Sequence, residues 1–144
     1  MKRNLIGILS LVVMSLTLTA TGAFAQSYVK ADVPFAFTVG SAQLPAGPYE
    51  VKSSSSGATA IVILNDQNNA GAMAIARREY PRQTNAKLVF HHVGNRYFLA
   101  EIWRGSGSEG MIVPTSKQEK ELEKELQASS GHKGGYEEVI VALN

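Results

Sequence analysis

Leu88-Val-Phe-His-His-Val93, Gly94-Asn95 and Arg96-Tyr-Phe-Leu-Ala-Glu-Ile-Trp-Arg104 form the stretch on which the architecture turns. Two runs rich in β-branched and aromatic residues flank a Gly-Asn pair, the chemistry of a two-residue hairpin turn of the primed type. In that register Val93 faces Arg96, His92 faces Tyr97, Phe90 faces Leu99 and Leu88 faces Glu101. Leu88, Phe90, His92, Tyr97, Leu99, Glu101 and Trp103 then share one face, because side chains alternate along a strand. Val89, His91, Phe98, Ala100 and Ile102 take the other. Both faces are largely apolar. The hairpin is therefore expected to be covered on both sides, or to sit in a curved sheet that closes on itself.

Upstream, Val33, Phe35, Phe37 and Val39 alternate with Pro34, Ala36, Thr38 and Gly40, the period of a half-buried strand. Pro34 cannot donate to a ladder, so this strand belongs at an edge or near a bulge. Leu44-Pro-Ala-Gly-Pro48 reads as a turn, after which Tyr49 and Val51 resume a strand. Thr59 to Leu64 is apolar on both faces, as in a two-sided buried strand. Asn65 to Asn69 is a loop, and Ala72 to Arg78 is a further strand, with a short helix competing because of its alanines and methionine.

Downstream, Gly105 to Gly110 is a glycine-serine loop and Met111-Ile-Val113 a short strand. Thr115 and Ser116, each followed three residues later by Gln118 or Glu119, are a capping-box signature opening a helix over about 116–128. Leu122 and Leu126 are its only apolar stripe, so it should rest lightly on the body or project from it. Glu138 to Leu143 returns as a last strand. Seven to nine closely spaced strands and one late helix define an all-β, mainly antiparallel domain, a small β-barrel or β-sandwich with one α-helix in its C-terminal half. The two-sided hairpin tips the expectation toward the barrel.

Lys2 and Arg3, an apolar run from Leu5 to about Ala20 and the triplet Ala23-Phe-Ala25 follow the order of a cleavable signal peptide. The run is short and hydroxyl-rich for a retained span, so no stable membrane span is expected after cleavage. The chain has no cysteine, which excludes a lipid-attached leader, and the leader carries no twin-arginine pair. Residues 26–144 are then one domain, exported to the periplasm or the medium. The chain carries 14 Lys+Arg against 12 Asp+Glu, and the leader takes two bases and no acid with it. The mature domain is thus formally neutral, without the basic excess that nucleic-acid binding needs.

The chemistry-bearing patterns are thin. Gly105-x-Gly107-x-x-Gly110 has the letters of a dinucleotide fingerprint, but Met-Ile-Val-Pro intervenes before any helix and no βαβ unit surrounds it. His91 and His92 point to opposite faces of a strand and cannot share an ion. The remaining histidine, His132, lies in a glycine-rich loop, so no metal and no cofactor is expected. Gly-x-Ser-x-Gly is absent, and Asn65 to Asn69 lacks the carboxylate spacing of a calcium loop. Arg77, Arg78 and Arg82 around Tyr80 form a local basic patch, read as a solvated strand end. The sharpest grouping is His92, Tyr97, Glu101 and Trp103 on one hairpin face, a candidate ligand-binding set of polar groups among aromatics. His92 and Glu101 could also make an acid–base pair, although no catalytic nucleophile is identified beside them. A plain cross-strand structural network is the simpler reading of the same residues.

Val33-Pro-Phe-Ala-Phe-Thr-Val-Gly40 with Leu44-Pro-Ala-Gly-Pro-Tyr-Glu-Val51 resembles a group of uncharacterised small exported proteins common in soil acidobacteria. Lys87-Leu-Val-Phe-His91, Tyr97-Phe-Leu99 and Pro114-x-Ser116-Lys117 extend the likeness, which covers most of residues 33–126. The resemblance implies export and a single shared domain, and it transfers no catalytic residue. The leading expectation is a non-catalytic β-domain that binds or assembles with a protein or cell-envelope partner. One alternative is a carrier of a small apolar ligand, its barrel interior lined by Phe90, Tyr97, Leu99 and Trp103. Another is a hydrolase-type enzyme using His92 and Glu101. An outer-membrane barrel fits poorly with the charged helix.

Overall fold

The computed structural model describes residues 28–53, 60–80, 85–105, 107–131 and 135–143. The expected leader, Arg82 and His132 lie outside the described residues. In chain order the elements are β1 (Tyr28–Val33), β2 (Phe37–Val39), β3 (Ala42–Leu44), β4 (Gly47–Ser53), β5 (Ala60–Asn65) and β6 (Ala70–Ile75). They continue as β7 (Arg77–Glu79), β8 (Lys87–Val93), β9 (Arg96–Trp103), β10 (Gly110–Ile112), α1 (Lys117–Ser130) and β11 (Glu137–Ala142). The domain is all-β and mainly antiparallel, with its helix in the C-terminal half, as expected.

Two sheets enclose the core. One has the order β1-β4-β5-β6; the other runs β11-β8-β9-β10-β7 and also carries the β2–β3 hairpin, joined by a parallel pairing of β2 with β9. β2 takes the first half of one β9 edge, at Tyr97 and Phe98, and β10 takes the second half, at Glu101 and Ile102. Single chain runs turn the corners between the sheets. Only the buried Ala76 separates β6, paired with β5, from β7, paired with β10. Residues 34–36 likewise separate β1 in the first sheet from β2 in the second. At the remaining corners β1 approaches β11, and β6 approaches β3, within 8 Å between Cα atoms. The second sheet therefore curls as a half barrel around the core.

The two divided runs, together with β3, where no strand was expected, give eleven strands among the described residues against the seven to nine expected. The run from Val33 to Val39 alternates in burial only as far as Phe37, since Thr38 is buried along with Phe37 and Val39, and it is broken at Pro34, whose missing N–H suits a strand end rather than a continuous ladder. Ala72 to Arg78 is extended, not helical, and is likewise divided between the sheets. In β6 the small residues Ala70, Ala72 and Ala74 pack on the core while Met73 and Ile75 face out. β2 and β3 approach this inner side of β6 within 8 Å between Cα atoms.

The Leu44 to Val51 motif has a local physical account. The Tyr49 hydroxyl donates to the Pro45 carbonyl at 2.6 Å, tying the strand back across the turn. Gly47 has φ +148°, and a Cβ there would lie 2.8 Å from Asn65 Nδ2, so the turn needs glycine. Asn65, itself buried, accepts from the backbone N–H groups of Gln67 and Asn68 and closes the β5–β6 turn. Burial pushes the Tyr49 phenol above its ordinary value of 10.0, and the nearby Asn65 amide offsets part of that rise.

Helix α1 begins as its sequence predicts. Ser116 is the N-cap and accepts from the Glu119 N–H at 3.1 Å, and Gly131 closes the other end at φ +61°. It docks on the outer face of β8–β9 more firmly than two leucines imply. Glu119 is only 3% exposed, Gln118 accepts from Arg96 at 3.0 Å, and Leu126 sits over Gly94.

Candidate functional site

The β8–β9 hairpin turns at Gly94-Asn95 with positive φ at the glycine, as a type II′ turn requires. From the turn outward its register is the expected one: Val93 with Arg96, His92 with Tyr97, Phe90 with Leu99. Between Val89 and Phe90 the register shifts, so Val89 pairs with Glu101 and Leu88 with Ile102. The extra residue is Ala100, a β-bulge that reverses the facing of everything beyond it. The expected pairing of Leu88 with Glu101 is thereby corrected. Glu101 and Trp103 leave the face of His92 and Tyr97, and Ile102 joins Leu88, Phe90 and Leu99 in the core.

The four residues grouped from the sequence thus form two separate pairs. Trp103 Nε1 donates to Glu101 at 2.6 Å, and the indole lies against Gly110, where a Cβ would run into the six-membered ring of the indole. His92 stacks on Tyr97, with centroids 4.4 Å apart and planes 10° apart, while its Nδ1 lies 3.6 Å from the exposed Glu137. His92 and Glu101 are not brought together as an acid–base pair.

Tyr97 continues inward as a ladder of rings. It stacks on Phe35 at 3.9 Å; Phe35 and Phe37 each meet Phe90 edge-on at 5.2 Å, and Phe37 meets Tyr49 at 5.1 Å. Phe90 is fully buried and Leu99 nearly so. Offset and edge-to-face contacts of this kind add about 0.5–1.5 kcal/mol each beyond area burial. The space between the sheets is therefore occupied by side chains along this line, and Trp103, expected to line it, lies on the opposite face of its sheet.

His91 has the environment that the sequence did not disclose. Its Nδ1 lies 2.7 Å from the Glu119 carboxylate, and its ring stacks on Tyr136 at 3.6 Å. This contact ties β8, α1 and the approach to β11 together. The partners are 28 and 45 residues away, beyond any local pattern. Among the described residues no group of three or more His, Asp or Glu side chains is arranged to hold a metal ion. Gly105 and Gly107 have positive φ in a loop, and Gly110 opens a strand rather than a helix, so the fingerprint letters have no anion-binding helix terminus behind them.

The candidate surface lies on the other sheet. The outer side of β5–β6 exposes Met73 (72%) and Ile75 (75%) beside the half-buried Val62 and Leu64. The outer side of β1–β4 adjoins it with Lys30, Glu50 and Lys52, where Glu50 bridges Lys30 at 3.1 Å and Lys52 at 3.2 Å. Those two ammonium groups, Lys30 first, hold the Glu50 carboxyl below its ordinary value of 4.5. A groove of about 370 Å³ runs along this half, lined by Lys30, Asp32, Pro48, Tyr49 and Leu64 among others. Arg77 and Arg78, read as a solvated strand end, are exposed and face Glu79 at 3.5 Å and Glu109 at 3.6 Å. No helix among the described residues is long and apolar enough to cross a membrane.

Comparison with known proteins finds no matching family model, no matching curated protein and no matching solved structure.

Proposed function

We propose that this is an exported, non-catalytic β-domain that works by binding or assembly through its outer surface, in the periplasm or outside the cell. The observation that carries this reading is the placement of apolar side chains. The interior is packed with the ring ladder from Tyr97 to Tyr49, whereas Met73 and Ile75 stand in solvent on one outer sheet face. A large aliphatic pair held out of a core that accepts alanine in its place suits contact with another surface. The carrier alternative would need free volume among Phe90, Tyr97 and Leu99, where Phe90 and Tyr97 instead meet other rings. The hydrolase alternative would need His92 and Glu101 on one face, and the Ala100 bulge separates them.

Native mass spectrometry of the protein, exported through its own leader in a bacterial host, tests the reading. The expected species is a chain beginning at Gln26 with no bound small molecule. A reproducible extra mass that disappears on denaturation would overturn the reading in favour of the carrier. Retention of the full-length chain in the membrane would overturn export.

A further inference from the structure

The outer face of the β1-β4-β5-β6 sheet is organised in two adjacent rows. Lys30 pairs with Glu50, Glu50 with Leu64 and Leu64 with Gly71. In the next row Tyr28 pairs with Lys52, Lys52 with Val62 and Val62 with Met73. Directly opposed residues point to the same side, so all eight share this face. Position by position the rows are complements. Glu50 stands in one where Lys52 stands in the other, and Gly71 where the exposed Met73 stands. Lys30 corresponds to Tyr28, and within one chain the Lys30 ammonium already lies 5.6 Å from the Tyr28 ring.

A surface whose neighbouring rows complement each other complements its own copy when turned about a two-fold axis across the strands, between the rows. We propose that this face docks a second copy of the chain. Glu50 then meets Lys52 of the second copy, Met73 enters the space over its Gly71, and Val62 packs on its Leu64. The inference rests on the outer-surface reading and names the partner. An axis along the strands would instead set the apolar half of one copy on the Lys-Glu half of the other, leaving charges desolvated without partners. Four strands about 4.8 Å apart and six residues of about 3.3 Å give a footprint of roughly 400 Å² per copy. With side-chain relief the total buried area reaches roughly 1,000 Å², the lower bound for a specific interface. The dimer is accordingly a reversible one, with Kd on the order of micromolar.

Sedimentation velocity of the exported protein over roughly 1–200 µM brackets such an equilibrium. The wild type is expected to shift from monomer to dimer within that range. Met73→Glu should weaken association at least about tenfold while leaving the melting curve unchanged, since position 73 is exposed. Glu50→Lys and Lys52→Glu, each alone, should weaken it about tenfold by setting like charges opposite each other. Combined in one chain they should restore association to within about threefold of wild type, because the complement is regenerated with its signs exchanged. A wild type that stays monomeric, or a dimer indifferent to Met73→Glu and to the single reversals, would overturn the proposal. A monomer without bound small molecule overturns only the second copy and leaves the outer-surface reading standing; a bound small molecule overturns that reading itself.

Discussion

Replacing Phe90 by alanine probes the packed interior most directly. Phe90 is fully buried and receives Phe35 and Phe37 edge-on, each at 5.2 Å between centroids. Its neighbours stand on β2, β9 and the β1–β2 corner, which are held by strand pairing and cannot all collapse into the gap. Truncation therefore loses the transfer free energy of the ring, two aromatic contacts and the cost of an unfilled cavity. Phe→Ala changes in cores cost about 3–5 kcal/mol, and the constrained surroundings point to about 4. For a domain of this size that lowers Tm by roughly 15 °C. Urea unfolding followed by circular dichroism reads the change, which should appear in the midpoint with little change in slope. Ile140→Ala, at a site 59% exposed, is the matched control and should stay within about 0.5 kcal/mol. A loss below about 1.5 kcal/mol at Phe90 would refute the reasoning, since it would mean the ring fills slack space. Wild-type stabilisation by a small apolar ligand would refute it too.

Three further outcomes follow from particular contacts. Gly110→Ala sets a methyl against the Trp103 ring at Cζ3, so the indole must move; a loss of about 2 kcal/mol and a shifted tryptophan emission are expected, and an unchanged spectrum would contradict the close approach. Glu119→Ala removes the carboxylate partner of His91 and should cost about 1–3 kcal/mol, with amide exchange accelerated in α1 but not in β9. Glu50, held below 4.5 by Lys30 and then Lys52, binds its proton later in the folded chain than in the unfolded one. Its contribution is therefore present above the ordinary carboxylate value and is lost as pH falls through the lowered one. A side-chain NMR titration should show this, and Lys30→Met should move the midpoint back up.

The hairpin, the capped helix and the strand–turn–strand at Leu44 to Val51 could be read from the chain because their causes are local. A Gly-Asn pair sets a turn, Ser116 reaches an amide three residues on, and Tyr49 bonds a carbonyl four residues back. Alternation likewise revealed that Val33, Tyr49 and Val51 face inward, but not that Thr38 is buried between Phe37 and Val39. The same rule misassigned Glu101 and Trp103, because a single unpaired residue at Ala100 inverts a period of two without altering the composition. In β6 the larger side chains face solvent while its alanines pack on the core, a facing that only the pairing with β5 fixes.

Sequence alone determined the all-β class, the late helix and the neutral charge balance of the region after the expected leader. Each follows from turn chemistry, periodicity or counting. Tertiary structure decided how the strands divide between two sheets and that Glu119 belongs to His91. It also decided that Met73 and Gly71 share an outer face with Glu50 and Lys52. Those relations join residues far apart in the chain, and they arise only once the corners at 34–36 and Ala76 carry single runs from one sheet into the other. Local energetics makes the strands; which faces meet is set by the packing of elements that no short window contains.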